Sequence, residues 1–476
     1  MISKENPTNT PVDTPKVEEA SGGRCTTRRA ARETREQGIA PPSASLEIPI
    51  YRPFALVALV VTLGLATPIG AIALYRLFAP AGPVPMIWLR LHAHLQIFGF
   101  AGVLIMGVAH HLILRFGHRP IRRPASTPWI LALTILGLGG RVAATMAGGA
   151  TASGLWIASG VAESLAFGVF AAWVTARVRA TEPRFTSDWL MVTGAWWFAV
   201  ALAVETMTLA AAATAGPDPV AVIPGPGLYA MGLYGGVFGW VLGVAMRAVP
   251  MFLSGRRVGR LGGAVLTGLN GGVLLMLLAE IWPPASRHAQ ALHALGDLAV
   301  AIAFVVGAVA VGAWQRQPRR ALSLLMDRTE TRFFRLAFAC AGLAVVGLSV
   351  GAALTLAGAP PHGLLADATR HLLSVGFLIG MICAMGFRFV PVIEGVRIAV
   401  PGARLVAFWA LALAVLLRTA EMGADYLHEG FLRAAAVSGF LAWVALLAWG
   451  LAVGLTMIRG AALRRSTSSA IETNLQ

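Results

Sequence analysis

The chain has 476 residues, of which 57% are hydrophobic and only 13% are charged, and its formal net charge is +16. Its mean hydropathy of +0.71 excludes an ordinary soluble domain, because so apolar a chain has too little polar surface to face water. The three cysteines show no metal-type spacing, which argues against a zinc site or a disulfide framework.

The first predicted element is a tail. Residues 1–50 mix Pro, Thr, Ser, Glu and Arg without a long apolar run, which predicts a disordered cytoplasmic tail. About twelve apolar stretches follow, and a membrane helix needs roughly 20 apolar residues. They lie near 54–78, 91–114, 128–148, 155–176, 189–213, 228–253, 262–282, 292–314, 334–356, 368–391, 404–422 and 431–458. The sequence thus predicts an all-α polytopic membrane protein with about 12 transmembrane helices over residues 51–460, followed by a cytoplasmic tail over 461–476.

The positive charge follows the predicted loops. Arginines are concentrated in alternate connections and at the C-terminal end, near residues 115–123, 177–184, 256–260, 316–335, 397–404 and 459–465, whereas the intervening loops hold few. This positive-inside pattern predicts that both termini are cytoplasmic and that the number of helices is even. The charge therefore reflects orientation in a lipid bilayer and does not indicate a nucleic-acid partner.

Three segments of the chain resemble one another, at residues 90–116, 227–252 and 369–395. Their alignment matches His94 with Ala230 and His371, at offsets of 136 and 141 residues. The following helices also match: Arg141, Glu280 and Arg418 lie at offsets of 139 and 138. The pattern predicts three four-helix repeats, at about 51–180, 185–318 and 330–460, arranged about a pseudo-threefold axis.

The repeated histidines are candidate ligands. An imidazole near the end of a membrane helix is costly unless it has a ligand or a partner. The predicted topology places His94 and His371 at similar depth near the extracytoplasmic surface, where two imidazoles could ligate a haem iron from both faces or share a copper ion. The simpler interpretation, a hydrogen bond from each ring to a backbone carbonyl, would suffice for one histidine and is less favoured for the pair.

His92 lies two residues before His94, which is about 200° around a regular helix. The two rings therefore point to opposite faces and cannot both serve one site. His92 is a candidate for a second metal, a helix cap or a hydrogen bond to a haem propionate.

Charged residues within the predicted helices need partners. Arg141 and Arg418 are candidates to bind haem propionates, which favour a guanidinium group. The alternative is plain ion pairing between helices with Glu163, Glu205, Glu280, Asp297 and Glu421. His110 and His111 read as interfacial basic residues, while His288, His293, His362 and His428 lie in or near outer loops.

Three motifs carry a resemblance to a known family. HAHLQIFGFAG at 92–102, MRAVPMF at 246–252 and RHLLSVGFLIGMICAMGFRF at 370–389 resemble the NnrS family. That family consists of bacterial twelve-helix proteins that carry haem and copper and are linked to the nitric oxide response. The resemblance implies that His94 and His371 bind haem or metal, with His92 a further candidate.

The layout is also similar to the catalytic subunits of haem-copper oxidases and nitric oxide reductases, which have twelve helices in three arcs with haem histidines on helices 2 and 10. This chain lacks the copper-binding histidines of helices 6 and 7 in that family, and Thr369 stands where the high-spin haem ligand would be. The departure argues against an oxidase-type binuclear centre.

The resemblance therefore implies an integral protein of the bacterial inner membrane, of NnrS type, that binds b-type haem or copper and acts in the nitric oxide response or in protection from nitrosative stress. Nitric oxide or a redox protein would be its partner. One alternative is a divergent oxidase-like redox subunit with copper ligands from His288 and His293. Another is a secondary transporter that uses the intramembrane charges as a relay, although threefold repetition counts against it.

Overall fold

The computed structural model describes residues 49–78, 82–117, 123–215, 226–252, 261–313, 328–359, 363–423 and 430–475. The predicted N-terminal tail, apart from residues 49 and 50, lies outside the described residues. So do Cys25, His118, His362 and His428.

Twelve helices in the described ranges are long and apolar enough to cross a membrane, and these ranges contain no strand. The helices are α1 Tyr51–Phe78, α2 Met86–Phe116, α3 Thr127–Met146, α4 Gly149–Arg179, α5 Thr186–Ala213, α6 Gly227–Pro250, α7 Leu261–Ala279, α8 Arg287–Val311, α9 Thr329–Leu356, α10 Gly363–Glu394, α11 Ala403–Met422 and α12 Gly430–Ser466. The predicted all-α polytopic fold is confirmed. The last helix continues to Leu475, so the predicted tail from residue 461 onward is helical as far as it is described.

The same order of burial recurs in each set of four helices. The second helix is the most buried: α2, α6 and α10 bury 83%, 72% and 61% of their apolar segments. The third is the least buried, at 33%, 33% and 39% for α3, α7 and α11. In the centre, α2 packs against α6, and Phe238 of α6 contacts Phe377 of α10. Because α12 packs against α1, the outer helices close around these three.

The three central helices share an unusual backbone feature. Each contains an eight-residue π-helix, at Leu95–Gly102, Met231–Phe238 and Leu372–Ile379. These segments begin directly after His94, Ala230 and His371, and their first residues are spaced by the same 136 and 141 residues as the sequence repeat. π-Helical turns are rare and occur frequently at functional sites. The repetition read from the sequence therefore extends to the local backbone.

Candidate functional site

A cavity of about 520 Å³ lies between α1, α2, α6, α10, α11 and α12. It is at the end of the bundle where the three central helices begin, which we call the histidine end. Its volume falls in the range of small-molecule and cofactor sites, about 300–1,000 Å³. Most of the lining is apolar, with a smaller set of polar residues: His92, His371, Arg90, Arg370, Arg418, Asp367, Gln96, Tyr229, Thr67, Ser374 and Ser438. We call this space the first cavity.

His92 is held against α1 on one side of the first cavity. Its Nδ1 lies 2.8 Å from the carbonyl oxygen of Ala66. Because a carbonyl oxygen only accepts, Nδ1 carries the proton and donates, which leaves the lone pair on Nε2. The ring occupies the space next to Gly70, where an added Cβ would overlap it. Within the described part of the chain, no hydrogen bond reaches Nε2 of this histidine.

His371 is held in a similar way from α10. Its Nδ1 lies 2.8 Å from the carbonyl oxygen of Asp367, one turn earlier in the same helix, and so also donates. Arg418 of α11 forms an ion pair with the Asp367 carboxylate, and its guanidinium lies 3.3 Å from the same ring nitrogen. Among the described residues, none forms a hydrogen bond with Nε2 of His371. Two imidazoles on different helices thus line one cavity with Nε2 available.

His94 has different surroundings. Its ring is 3% exposed and does not line the first cavity. Its Nε2 lies 3.0 Å from Glu163 of α4, and its Nδ1 lies 3.4 Å from Glu205 of α5. Arg141 of α3 is fully buried and binds the same two carboxylates, at 3.2 Å and 3.0 Å. We call these four residues the sealed cluster.

Neighbouring side chains and glycines support the sealed cluster. Arg90 lies 3.5 Å from Glu205 and also lines the first cavity, so it connects the two regions. The guanidinium groups of Arg90 and Arg141 lie 5.1 Å and 4.9 Å from the Trp156 ring. An added Cβ at Gly137 would overlap the side chain of Glu163, so this glycine lets α4 bring its carboxylate close to α3.

The structure therefore pairs the candidate residues differently from the sequence prediction. It brings His92 and His371 to the same cavity, and it places His94 outside that cavity, next to Glu163 and Glu205. Arg418 lines the first cavity, whereas Arg141 binds the two carboxylates of the sealed cluster, and the propionate role of Arg418 stays a prediction of the sequence. The ligand role of His94 and the propionate role of Arg141 stay predictions of the sequence, and the geometry favours His92 as the partner of His371.

Two matching glycines in the sequence are a signal for this arrangement that the prediction from apolar segments and histidines does not use. Gly70 and Gly347 are separated by the same 277 residues as His92 and Thr369. In the structure Gly347 accommodates Thr369 just as Gly70 accommodates His92, since an added Cβ would overlap either side chain. A glycine on the first helix of a unit thus marks which side chain of the second helix packs against it.

The other histidines that the structure describes contribute no comparable donor set. His293 lies 3.5 Å from Glu280, and His288 stacks on Trp282. His110 is buried, with Nδ1 2.6 Å from the Met106 carbonyl oxygen and its ring stacked on Trp173. Among the described residues, no group of three or more His, Cys, Asp or Glu side chains could hold a metal ion.

No protein-family model matches this chain, and no curated protein matches it significantly. The likeness to the NnrS family therefore rests on the three short motifs and on the arrangement of the helices.

Proposed function

We propose that this chain is an integral membrane haem-binding protein of NnrS type, with a b-type haem held in the first cavity between His92 and His371. The observation that carries the proposal is the pair of imidazoles on different helices, each with Nδ1 donating to a carbonyl oxygen and Nε2 available. Metal-bound histidines typically donate their other ring nitrogen in this way, which fixes the orientation of the ring. The donor set therefore fits a haem iron with two imidazole ligands.

The charged residues of the first cavity fit the propionate groups of a haem. Three arginines and a single carboxylate line it: Arg90, Arg370, Arg418 and Asp367. The formal net charge of these four side chains is positive, and guanidinium groups bind carboxylates such as propionates strongly. The apolar remainder of the lining would exclude water from a bound macrocycle. A haem with two imidazole ligands would supply reversible one-electron transfer.

The biological role that we propose is the nitric oxide response or protection from nitrosative stress, with the histidine end facing outward from a bacterial inner membrane. This part rests on the NnrS motifs and on the distribution of arginines. Copper belongs to the same proposal through the resemblance alone, and we assign it no residues.

Two alternatives have less support. An oxidase-like copper site from His288 and His293 lacks a third ligand among the described residues. A transporter relay through Glu163 and Glu205 would require carboxylates that are open to a pathway, yet both are buried and paired within the sealed cluster. Such pairing favours a structural role for these acids.

The decisive test is spectroscopic. The protein is purified in detergent, its reduced-minus-oxidised spectrum is recorded, and iron and copper are measured. We expect the spectrum of a low-spin haem in the native protein and in the control His288→Ala. We expect its loss in His92→Gly and His371→Gly, and its recovery when imidazole is added to fill the space.

Three results would contradict the proposal or its ligand assignment. Absence of haem from the native protein would overturn the function itself. A native spectrum in both glycine variants without imidazole would leave haem binding intact but would overturn the ligand assignment. Loss of the spectrum in His94→Gln with a folded protein would return His94 to the ligand set.

A further inference from the structure

A second cavity, of about 130 Å³, lies between α1, α2, α6, α10 and α12. It extends towards the end of the bundle opposite the histidine end, where its lining includes Tyr51, Leu112 and Ile393. The cavity presents almost no polar surface, since Leu, Ile, Val, Met and Ala side chains make up most of its wall. The Tyr51 hydroxyl donates to Glu394.

The two cavities share the faces of the same central helices. Three pairs of residues connect the linings, in each case from the first cavity to the second: Phe100 with Leu104, Val237 with Val241, and Leu378 with Ile382. Residues four apart lie on one side of a helix about one turn from each other. The second cavity thus lies one helical turn below the first, along α2, α6 and α10.

We propose that the second cavity is a binding site for a small, neutral and apolar molecule, of the class of a dissolved diatomic gas. The indole nitrogens of Trp240 and Trp449 in its wall have no hydrogen-bond partner among the described residues, but they are buried and leave the cavity almost no polar surface. A charged or strongly polar ligand would therefore lose its hydration with little compensation from hydrogen bonds. Water is disfavoured as well, because a buried water needs two to four polar partners. An engineered apolar cavity of about 150 Å³ stays dry and binds xenon or benzene, which shows that this volume and lining suffice.

The structure also explains why this site is independent of the proposed haem. Its wall contains neither of the candidate ligands His92 and His371, and none of the arginines of the first cavity. The proposal therefore stands or falls on its own test, whatever the first cavity binds.

Xenon is the probe for this test, because it is neutral, apolar and detectable by its electron density or by ¹²⁹Xe NMR. Crystals or detergent solutions of the full chain are equilibrated with xenon under pressure. Three variants are compared with the native protein: Val244→Phe, which fills the cavity; Ile105→Ala, which enlarges it; and Val309→Phe, a matched control on the exposed face of α8.

We expect xenon in the second cavity of the native protein and of Val309→Phe, loss of that site in Val244→Phe, and higher occupancy in Ile105→Ala. Absence of xenon from the native protein would overturn the proposal. So would unchanged xenon binding in Val244→Phe, or an ordered water chain or lipid acyl chain that fills the cavity in the native protein.

Discussion

The first and third helical units contain histidines at matching positions, yet the two rings lie in opposite surroundings. His94 is 3% exposed and contacts a carboxylate at each ring nitrogen, whereas the side chain of His371 is 29% exposed and faces a cavity. The following arginines match as well, since Arg141 and Arg418 are separated by the same 277 residues as the two histidines. Equal positions in a repeat have therefore produced one closed region and one open region.

The difference comes from the helices around each histidine. In the first unit, α4 and α5 supply Glu163 and Glu205, and these acids surround His94 and Arg141. At the position 277 residues after Glu163 stands Phe440, which packs against Tyr75 of α1. The third unit therefore draws its acid from α10 itself, through Asp367, and leaves His371 open.

The comparison also shows why the matching histidines His94 and His371 do not line one cavity. In a closed ring of repeated units, each contact joins two different faces of the unit. His94 and His371 occupy the same face of successive repeats and so point to different neighbours. His92 and His371 occupy different faces, and the closure of the ring at α1 and α12 brings them to one cavity.

Of the substitutions that test this comparison, we expect Arg141→Gln to cause the largest loss in the free energy of unfolding. Arg141→Gln leaves two buried carboxylates without their main counter-charge, and breaking a buried ion pair costs about 3–5 kcal/mol. We expect this loss in the free energy of unfolding, measured by reversible detergent titration, while the folded fraction keeps the haem spectrum. A variant as stable as the native protein would show that the sealed cluster is not a stabilising network.

A smaller loss of stability is expected when a methyl group is added at the matching glycines Gly70 and Gly347. Gly70→Ala overlaps the His92 ring, so we expect the low-spin haem spectrum to be lost or shifted in a folded protein. Gly347→Ala overlaps Thr369 and should cost about 1–3 kcal/mol through overpacking while the spectrum is kept. Gly64→Ala is the control, because an added Cβ there meets no atom within 4 Å. An unchanged spectrum in Gly70→Ala would argue against His92 as a ligand.

The parts of this fold that depend on composition and on the spacing of residues along the chain can be predicted from the sequence. Twelve apolar segments, the repeat offsets and the opposite directions of His92 and His94 all follow from residue spacing. The partners of each ring could not be predicted, because they depend on which neighbouring helix supplies an acid or a glycine. Glu163 and Glu205 read in the sequence as two more intramembrane charges, and nothing local showed that both would reach His94.

Arg418 offers the counterpart to Arg141 in the open region. Arg418 pairs with two acids: Asp367, which is 30% exposed, and Glu421, which is 1% exposed and lies 3.2 Å away. Arg418→Gln therefore leaves one buried carboxylate without this partner, whereas Arg141→Gln leaves two. For Arg418→Gln we expect a cost of about 1–2 kcal/mol in unfolding free energy, together with weaker haem retention during dilution. If Arg418→Gln lowers the unfolding free energy as much as Arg141→Gln and the haem is retained, the two arginines do not differ in the way proposed.

The smallest loss in the free energy of unfolding is expected at Phe78, whose ring lies beside Arg418. The Arg418 guanidinium lies 5.7 Å from the ring of Phe78, near the end of α1, whereas Trp156 is buried beneath both Arg90 and Arg141. A single cation–π contact at a partly exposed site contributes about 0.5–1 kcal/mol. Phe78→Leu should therefore lower the unfolding free energy by about that amount. Trp156→Leu serves as the comparison and should cost more, because one ring supports two desolvated guanidinium groups. Equal costs for the two substitutions would mean that burial adds nothing to the aromatic support of these arginines.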